Sequence, residues 1–168
     1  MAEIRKILVA YDGSPQSKVA LEWAIDLGLT TKAQIAVAKV VEMMLPGELN
    51  ALYEEGAKGN ASGMYEEGAR NVSSVLVSQI EELSQGDQKL LEEVVAKAGA
   101  NRGADITTAV LHGNVTAAIL DFAREQEADL IVAGTKGHGA LDRLLIGSVA
   151  RNLVSLSPIP VLIVKGEQ

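Results

Sequence analysis

ADLIVAGTKGHGALDRLLIGSVARNLV, residues 128–154, holds the decision about the fold. Its first part, Asp129 to Ala133, is a short continuous apolar run, the pattern of a parallel strand buried on both faces. Its last part, from Ser148 to about Leu156, has helical spacing. Between them lie four glycines, at 134, 137, 139 and 147. A glycine-studded loop joining an inner strand to a helix is the connection of an α/β sheet, where ligands gather beyond the carboxyl ends of the strands.

Working outward from this unit, the same alternation repeats. Ile4 to Ala10 is an apolar strand ended by Asp12-Gly13-Ser14-Pro15. Ser14 followed by Pro15 reads as a helix cap and a proline at the first helical position. The helix runs on through QSKVALEWAIDLGLTT, with Val19, Ala20, Trp23, Ala24 and Leu27 as its apolar stripe. Ala33 to Val41 is a second strand, Ala104 to Leu111 a third with half-buried alternation, and Val161 to Lys165 a fifth. His112-Gly113-Asn114 leads from the third into the helix VTAAILDFAREQE, and Ser157-Pro158-Ile159-Pro160 stops the last helix. Residues 42–64 are irregular and glycine-rich. From Met64 the apolar phase persists to Gly99–Gly103, which predicts one long helix, bent or nicked near Gly86. YEEGAK at 53–58 echoes YEEGAR at 65–70, too short and too few for a repeat architecture. Strands alternating with helices argue for a parallel sheet covered on both faces.

Composition removes several classes of function. The net charge of −7, with no basic stripe, opposes nucleic acid and anionic membrane. The absence of cysteine excludes disulfides, thiolate metal sites and cysteine nucleophiles. No apolar run approaches the ~18 residues of a membrane span, and the first residues, MAEIRKILVAYDGS, lack the zones of a signal peptide. A single cytoplasmic domain over 1–168, with a variable loop at about 42–64, is the expectation.

The glycine loop has a chemistry of its own. Gly134, Gly137, Gly147 and Ser148 make G-x2-G-x9-G-S. Gly134, without a side chain, would let a ligand approach the backbone, and Gly137 permits positive φ. Gly147-Ser148 opens a helix, whose free N–H groups and dipole attract anions. Leu141, Leu144 and Leu145 are spaced to plug into the core, so that the loop doubles back and brings its glycine ends together. That arrangement makes a pocket for a polyphosphate.

With KILVAYDGS at 6–14, the G-x2-G-x9-G-S loop and PVLIVK at 160–165, the chain resembles the universal stress protein family over nearly its whole length, and specifically its ATP-binding branch. The resemblance implies a Rossmann-like, adenine-nucleotide α-hydrolase-like fold: a five-stranded parallel sheet of order 3-2-1-4-5, dimeric through the last strand, 160–165. It implies ATP or another adenine nucleotide as ligand. Asp12, with Ala10 and Tyr11 beside it, would contact the adenosine, and Val40 would meet adenine through its backbone. Gly134, Gly137, Gly147, Ser148 and Val149 would hold ribose and phosphates. Ala150 stands where a relative offers a hydroxyl. Thr135, Lys136 and His138 lie in the variable part of the loop. A triphosphate would bring Mg²⁺, held mainly by phosphate oxygens and water.

Other readings of these residues stay open. Asp12 could satisfy neighbouring N–H groups, and Ser148 could cap its helix as well as touch phosphate. Lys136 is either a phosphate contact or a solvated lysine; Ser14 is a cap, and His112 is assigned no role. No GxxxxGK[ST], HExxH or GxSxG occurs, and nothing supplies a dedicated base for attack on a phosphoryl group. The expectation is a nucleotide-dependent regulatory protein acting on an unknown protein partner, with no catalytic and no metal-ligating side chains. The alternatives are a slow ATPase or phosphotransfer enzyme, and a structural dimer without nucleotide.

Overall fold

The computed structural model describes residues 3–42, 64–99, 102–135 and 146–166, with residues 64–79 as backbone alone. In chain order they form β1 (Lys6–Ala10), α1 (Pro15–Thr31), β2 (Gln34–Val41), α2 (Met64–Gly99), β3 (Ile106–His112), α3 (Val115–Glu125), β4 (Leu130–Gly134), α4 (Ser148–Leu156) and β5 (Val161–Val164). The strands make one parallel sheet of order β3-β2-β1-β4-β5. The order 3-2-1-4-5 and the two-sided helical cover agree with the expected architecture. No helix of the described residues is long and apolar enough to cross a membrane.

The period of two along each strand divides the core. Ile7, Val9, Ile35, Val37, Leu130 and Val132 face α1 and α2, where they meet Leu21, Ala24, Ile25, Leu91 and Val95. Leu8, Ala36, Ala38, Ile131 and Ala133 face the other way, onto Ile119, Leu120 and Ala123 of α3 and Leu153 of α4. Ile7, Leu8, Val9, Val37, Ile131 and Val132 are fully buried, because β1, β2 and β4 are inner strands covered on both sides. β3 and β5 are the sheet's edges.

Four local expectations change. β3 begins and ends later than its apolar pattern suggested, at Ile106 and His112, and most of its residues are half-buried because it is an edge. Trp23 is 58% exposed. The buried face of α1 is Ser17, Ala20, Leu21, Ala24, Ile25 and Gly28, with Val19 and Leu27 partly buried beside it, so of the expected stripe only Trp23 turns to solvent. A Cβ at Gly28 would lie 2.8 Å from Ile35 Cδ1, so this face packs directly on β2. α2 passes Gly86 without interruption. It is tied to the sheet by Lys39 to Asp87 at 2.6 Å, by Gln88 to Thr108 at 2.7 Å, and by Ser84 to His112 Nε2 at 3.0 Å. The last contact gives His112 a structural partner. Ser84 already donates to the Ile80 carbonyl, so Nε2 is the donor to it.

Candidate functional site

Register builds the floor of the site. Ala10 pairs with Ala38 on one side and Ala133 on the other, so three alanines stand abreast across β2, β1 and β4 on the face toward α3 and α4. Two residues earlier along β1 the same face carries Leu8, between Ala36 and Ile131. Replacing large side chains by methyl groups near the carboxyl ends opens a cavity of about 490 Å³. That volume lies within the range of small-molecule sites, ~300–1,000 Å³. Val40, and Val115 and Ile119 of α3, complete its apolar wall.

Three helices begin at this cavity, and their first turns differ. At α1, Asp12 Oδ1 accepts from Ser14 N at 2.9 Å, and Ser14 Oγ accepts from Ser17 N at 3.1 Å. Gly13 permits this turn with a φ of 84°. At α3, Asn114 Oδ1 accepts from Ala117 N at 3.1 Å. At α4, the capping position is Gly147, which has no side chain to bond the first-turn amides. Ser148 is its first helical residue, so its reading as the N-cap is corrected: a hydroxyl inside the first turn is past the capping position. The first amide to bond within the helix is that of Arg151, to Gly147 O at 3.0 Å. Those of Ser148, Val149 and Ala150 precede it and have no partner within the helix. They line the cavity, where the dipole favours negative charge.

The loop ends are joined. Thr135 N donates to Val164 O at 3.0 Å, and Gly147 N donates to Thr135 O at 2.8 Å. The chain therefore leaves β4 and returns to the same point before entering α4, as the doubling-back of the loop required. Lys136, Gly137, His138, Leu141, Leu144 and Leu145 lie outside the described residues.

Gly134 has a different reason for being glycine than the one read from its motif. A Cβ there would sit 2.9 Å from both the carbonyl carbon and Cβ of Gln16, in the first turn of α1. Its bare face is turned to that helix, so the glycine permits close packing of helix on strand. Gly147 is conformationally ordinary, with φ −60° and ψ 159°.

Of the residues expected at the site, Ala10, Tyr11, Asp12, Val40, Gly134, Thr135, Gly147, Ser148, Val149 and Ala150 all line this one cavity. Ala150 is buried and contributes only its methyl and backbone. The Asp12 carboxylate does bond a neighbouring amide, in line with the structural reading of that residue. Tyr11 is buried, which raises its hydroxyl pKa, and the charge of Asp12 raises it further; it stays protonated at neutral pH.

The lining also includes Ser17, Ala38, Glu42, Val115, Ile119 and Ala133, which the motifs did not indicate. The alanines carried a signal, a small residue near the end of each inner apolar run. Val115 and Ile119 carried another, one turn apart on a helix that starts at the carboxyl end of the sheet. Glu42 carried none. Among the described lining residues, the charged ones are Asp12 and Glu42, both acidic.

Comparison with known proteins gives this geometry its context. The model of the universal stress protein family matches residues 3–165. The stress response protein NhaX of Bacillus subtilis (strain 168) is 35% identical over 166 residues, covering 95% of this chain and 97% of its own length. Among solved structures, a universal stress protein in complex with cAMP superposes with a TM-score of 0.62 at 22% identity, over 99% of this chain and all of the other. The universal stress protein from Archaeoglobus fulgidus in complex with dAMP gives 0.58 at 18% identity, over 98% of this chain and all of the other. These two likenesses show the fold.

Proposed function

The chain belongs to the universal stress protein family, and we propose that it is a regulatory member that binds ATP or another adenine nucleotide in the cavity at the carboxyl ends of β1, β2 and β4. The observation that carries this reading is the uncapped first turn of α4, held beside β4 by the Gly147–Thr135 bond and opening on the cavity. Amides there have no partner within the helix and suit phosphate oxygens, since several N–H bonds add to a dipole contribution of ~0.3–1 kcal/mol. The related structures holding cAMP and dAMP support an adenine nucleotide as the ligand class.

In this reading Asp12 meets the adenosine, the Val40 backbone meets adenine, and the turn from Ser148 to Ala150 receives phosphate. Gly137, with Lys136 and His138, would complete the phosphate end from the loop. Mg²⁺ would ride on phosphate oxygens and water. Gly147 plays a supporting part, because its amide is already given to Thr135. Nucleotide held there would change what a protein partner meets at this end of the sheet. Two chains would pair through β5, whose edge position leaves its outer backbone groups for a symmetry mate.

Calorimetry with ATP, ADP and AMP, with and without Mg²⁺, tests this directly. Saturable binding at or below millimolar ligand is expected. No heat with any of the three overturns the reading. Mass spectrometry of the small molecules released on denaturing the freshly purified protein identifies the occupant.

A further inference from the structure

Among the described lining residues the charge is one-ended, and this bears on how a nucleotide lies in the cavity. At the β4 end are the uncapped amides of α4; at the β1 and β2 ends are the carboxylates of Asp12 and Glu42. The strands are ordered β2-β1-β4, so the two ends are separated by two strand spacings, about 10 Å. Phosphates are drawn to the α4 end and repelled from the other. With its phosphates there, a nucleotide puts its ribose over β1, beside Asp12, and its base over β2.

Glu42 follows β2 directly. Gly113 N donates to Val41 O at 3.2 Å, which brings the end of β2 against the turn that begins α3. Val115, the first residue of α3, lines the same cavity. Glu42 is exposed, as a group at the mouth of the cavity must be to keep its charge solvated. An ionised carboxylate only accepts hydrogen bonds, so it seeks an N–H on the edge of the base.

Building on the nucleotide reading above, we propose that Glu42 selects the base: its carboxylate accepts a hydrogen bond from the 6-amino group of adenine and disfavours a purine with a carbonyl oxygen there. Adenine presents a donor at that position and hypoxanthine an acceptor, which would face the carboxylate oxygen to oxygen. The same charge sets the orientation of the ligand, because it keeps phosphate away from the β2 end.

The test compares ATP with ITP, which exchanges the 6-amino group for an oxygen, and with dATP, which removes only the ribose 2′-hydroxyl. Each is titrated, with Mg²⁺ at equal concentration, into the wild-type full chain and into Glu42→Gln. The wild type is expected to prefer ATP over ITP by about tenfold, the scale of one mispaired polar group. The glutamine amide can turn its N–H toward a carbonyl, so in Glu42→Gln the preference falls to about twofold or less, chiefly through tighter ITP binding. The dATP-to-ATP ratio stays unchanged. A variant that keeps the wild-type ATP-to-ITP ratio, or changes the dATP-to-ATP ratio instead, overturns the assignment while leaving nucleotide binding standing. A wild type that binds none of the three overturns both.

Discussion

The amide of Gly147 donates to the carbonyl of Thr135 at 2.8 Å. This bond closes the loop between β4 and α4 at its base, whatever path residues 136–145 take, and presents the first turn of α4 to the cavity. It also withdraws one N–H from a ligand, leaving the next three as the candidates for anion binding. Ser148, Val149 and Ala150 thus carry more of the proposed chemistry than the glycine that opens the motif.

Ser148→Pro separates the amide from the helix. Proline is favoured at the first helical position and removes only an N–H that the helix does not use. Gly147, at φ −60° and ψ 159°, already has the extended conformation that a residue before proline needs. Unchanged helicity and a thermal midpoint within a few degrees of wild type are expected, with ATP bound about ten- to a hundredfold more weakly, the worth of one hydrogen bond to a charged group. Ser148→Ala, which keeps the amide, should lose less. Calorimetry on both variants distinguishes amide from hydroxyl.

Gly134→Ala should damage the fold before it touches the ligand. The new Cβ would press on the backbone of Gln16, which has no flexible end to move aside. A loss of about 1–3 kcal/mol is expected, the usual cost of overpacking, read as a lower urea midpoint with an unchanged slope. A variant as stable as wild type would show that α1 shifts freely on β4.

Ile163→Pro tests pairing through β5. The carbonyls of Pro160 and Val164 accept from Ile131 and Thr135, so those alternate positions face inward, and the amide of Ile163 faces the open edge. Proline there spares the ladder to β4 and blocks an added strand. Sedimentation should show a dimer for wild type at micromolar concentration and a monomer for the variant, with some loss of stability from the partly buried isoleucine. A wild type that is monomeric throughout removes the dimer.

Asp129 sets a pH dependence. Its Oδ2 accepts from the amides of Arg5 and Lys6 at 2.8 and 3.0 Å, joining the start of β4 to β1. The Arg5 bond is the main cause that holds its carboxyl below the usual range, ahead of Lys6 and the nearby charges, against the opposing effect of burial. A folded pKa below the unfolded one contributes stability above about pH 4, lost as pH falls through the depressed value. The carboxylate is only partly buried, so the contribution is expected to be under about 1 kcal/mol. Between pH 7 and pH 3 the thermal midpoint of wild type should fall by more than that of Asp129→Asn. Parallel declines would assign the acid sensitivity to other carboxylates.

Much of this molecule is written locally. Continuous apolar runs such as KILVA and DLIVA, the Ser14-Pro15 start of α1 and the glycines after β4 determine which segments are strands, helices and turns. They do so because propensity, capping and period depend on a few neighbouring residues. The parallel class of the sheet follows from their alternation, and the gathering of Asp12, Val40 and Ser148 follows from all three lying at or just beyond the carboxyl ends of strands. The order of the strands came with the family resemblance rather than from any residue pattern. Other features were decided only by packing. α1 buries Leu21 and Ile25 and leaves Trp23 in solvent, with Gly28 seated directly against Ile35. Gly134 is glycine because Gln16 lies against it. Ala10, Ala38 and Ala133 form a floor because register sets them abreast, and Glu42 reaches the cavity because β2 ends beside the start of α3. Each of these relations joins residues far apart in the chain, and only the close packing of a helix on a sheet brings such residues within a few ångströms, where a single methyl group decides what fits.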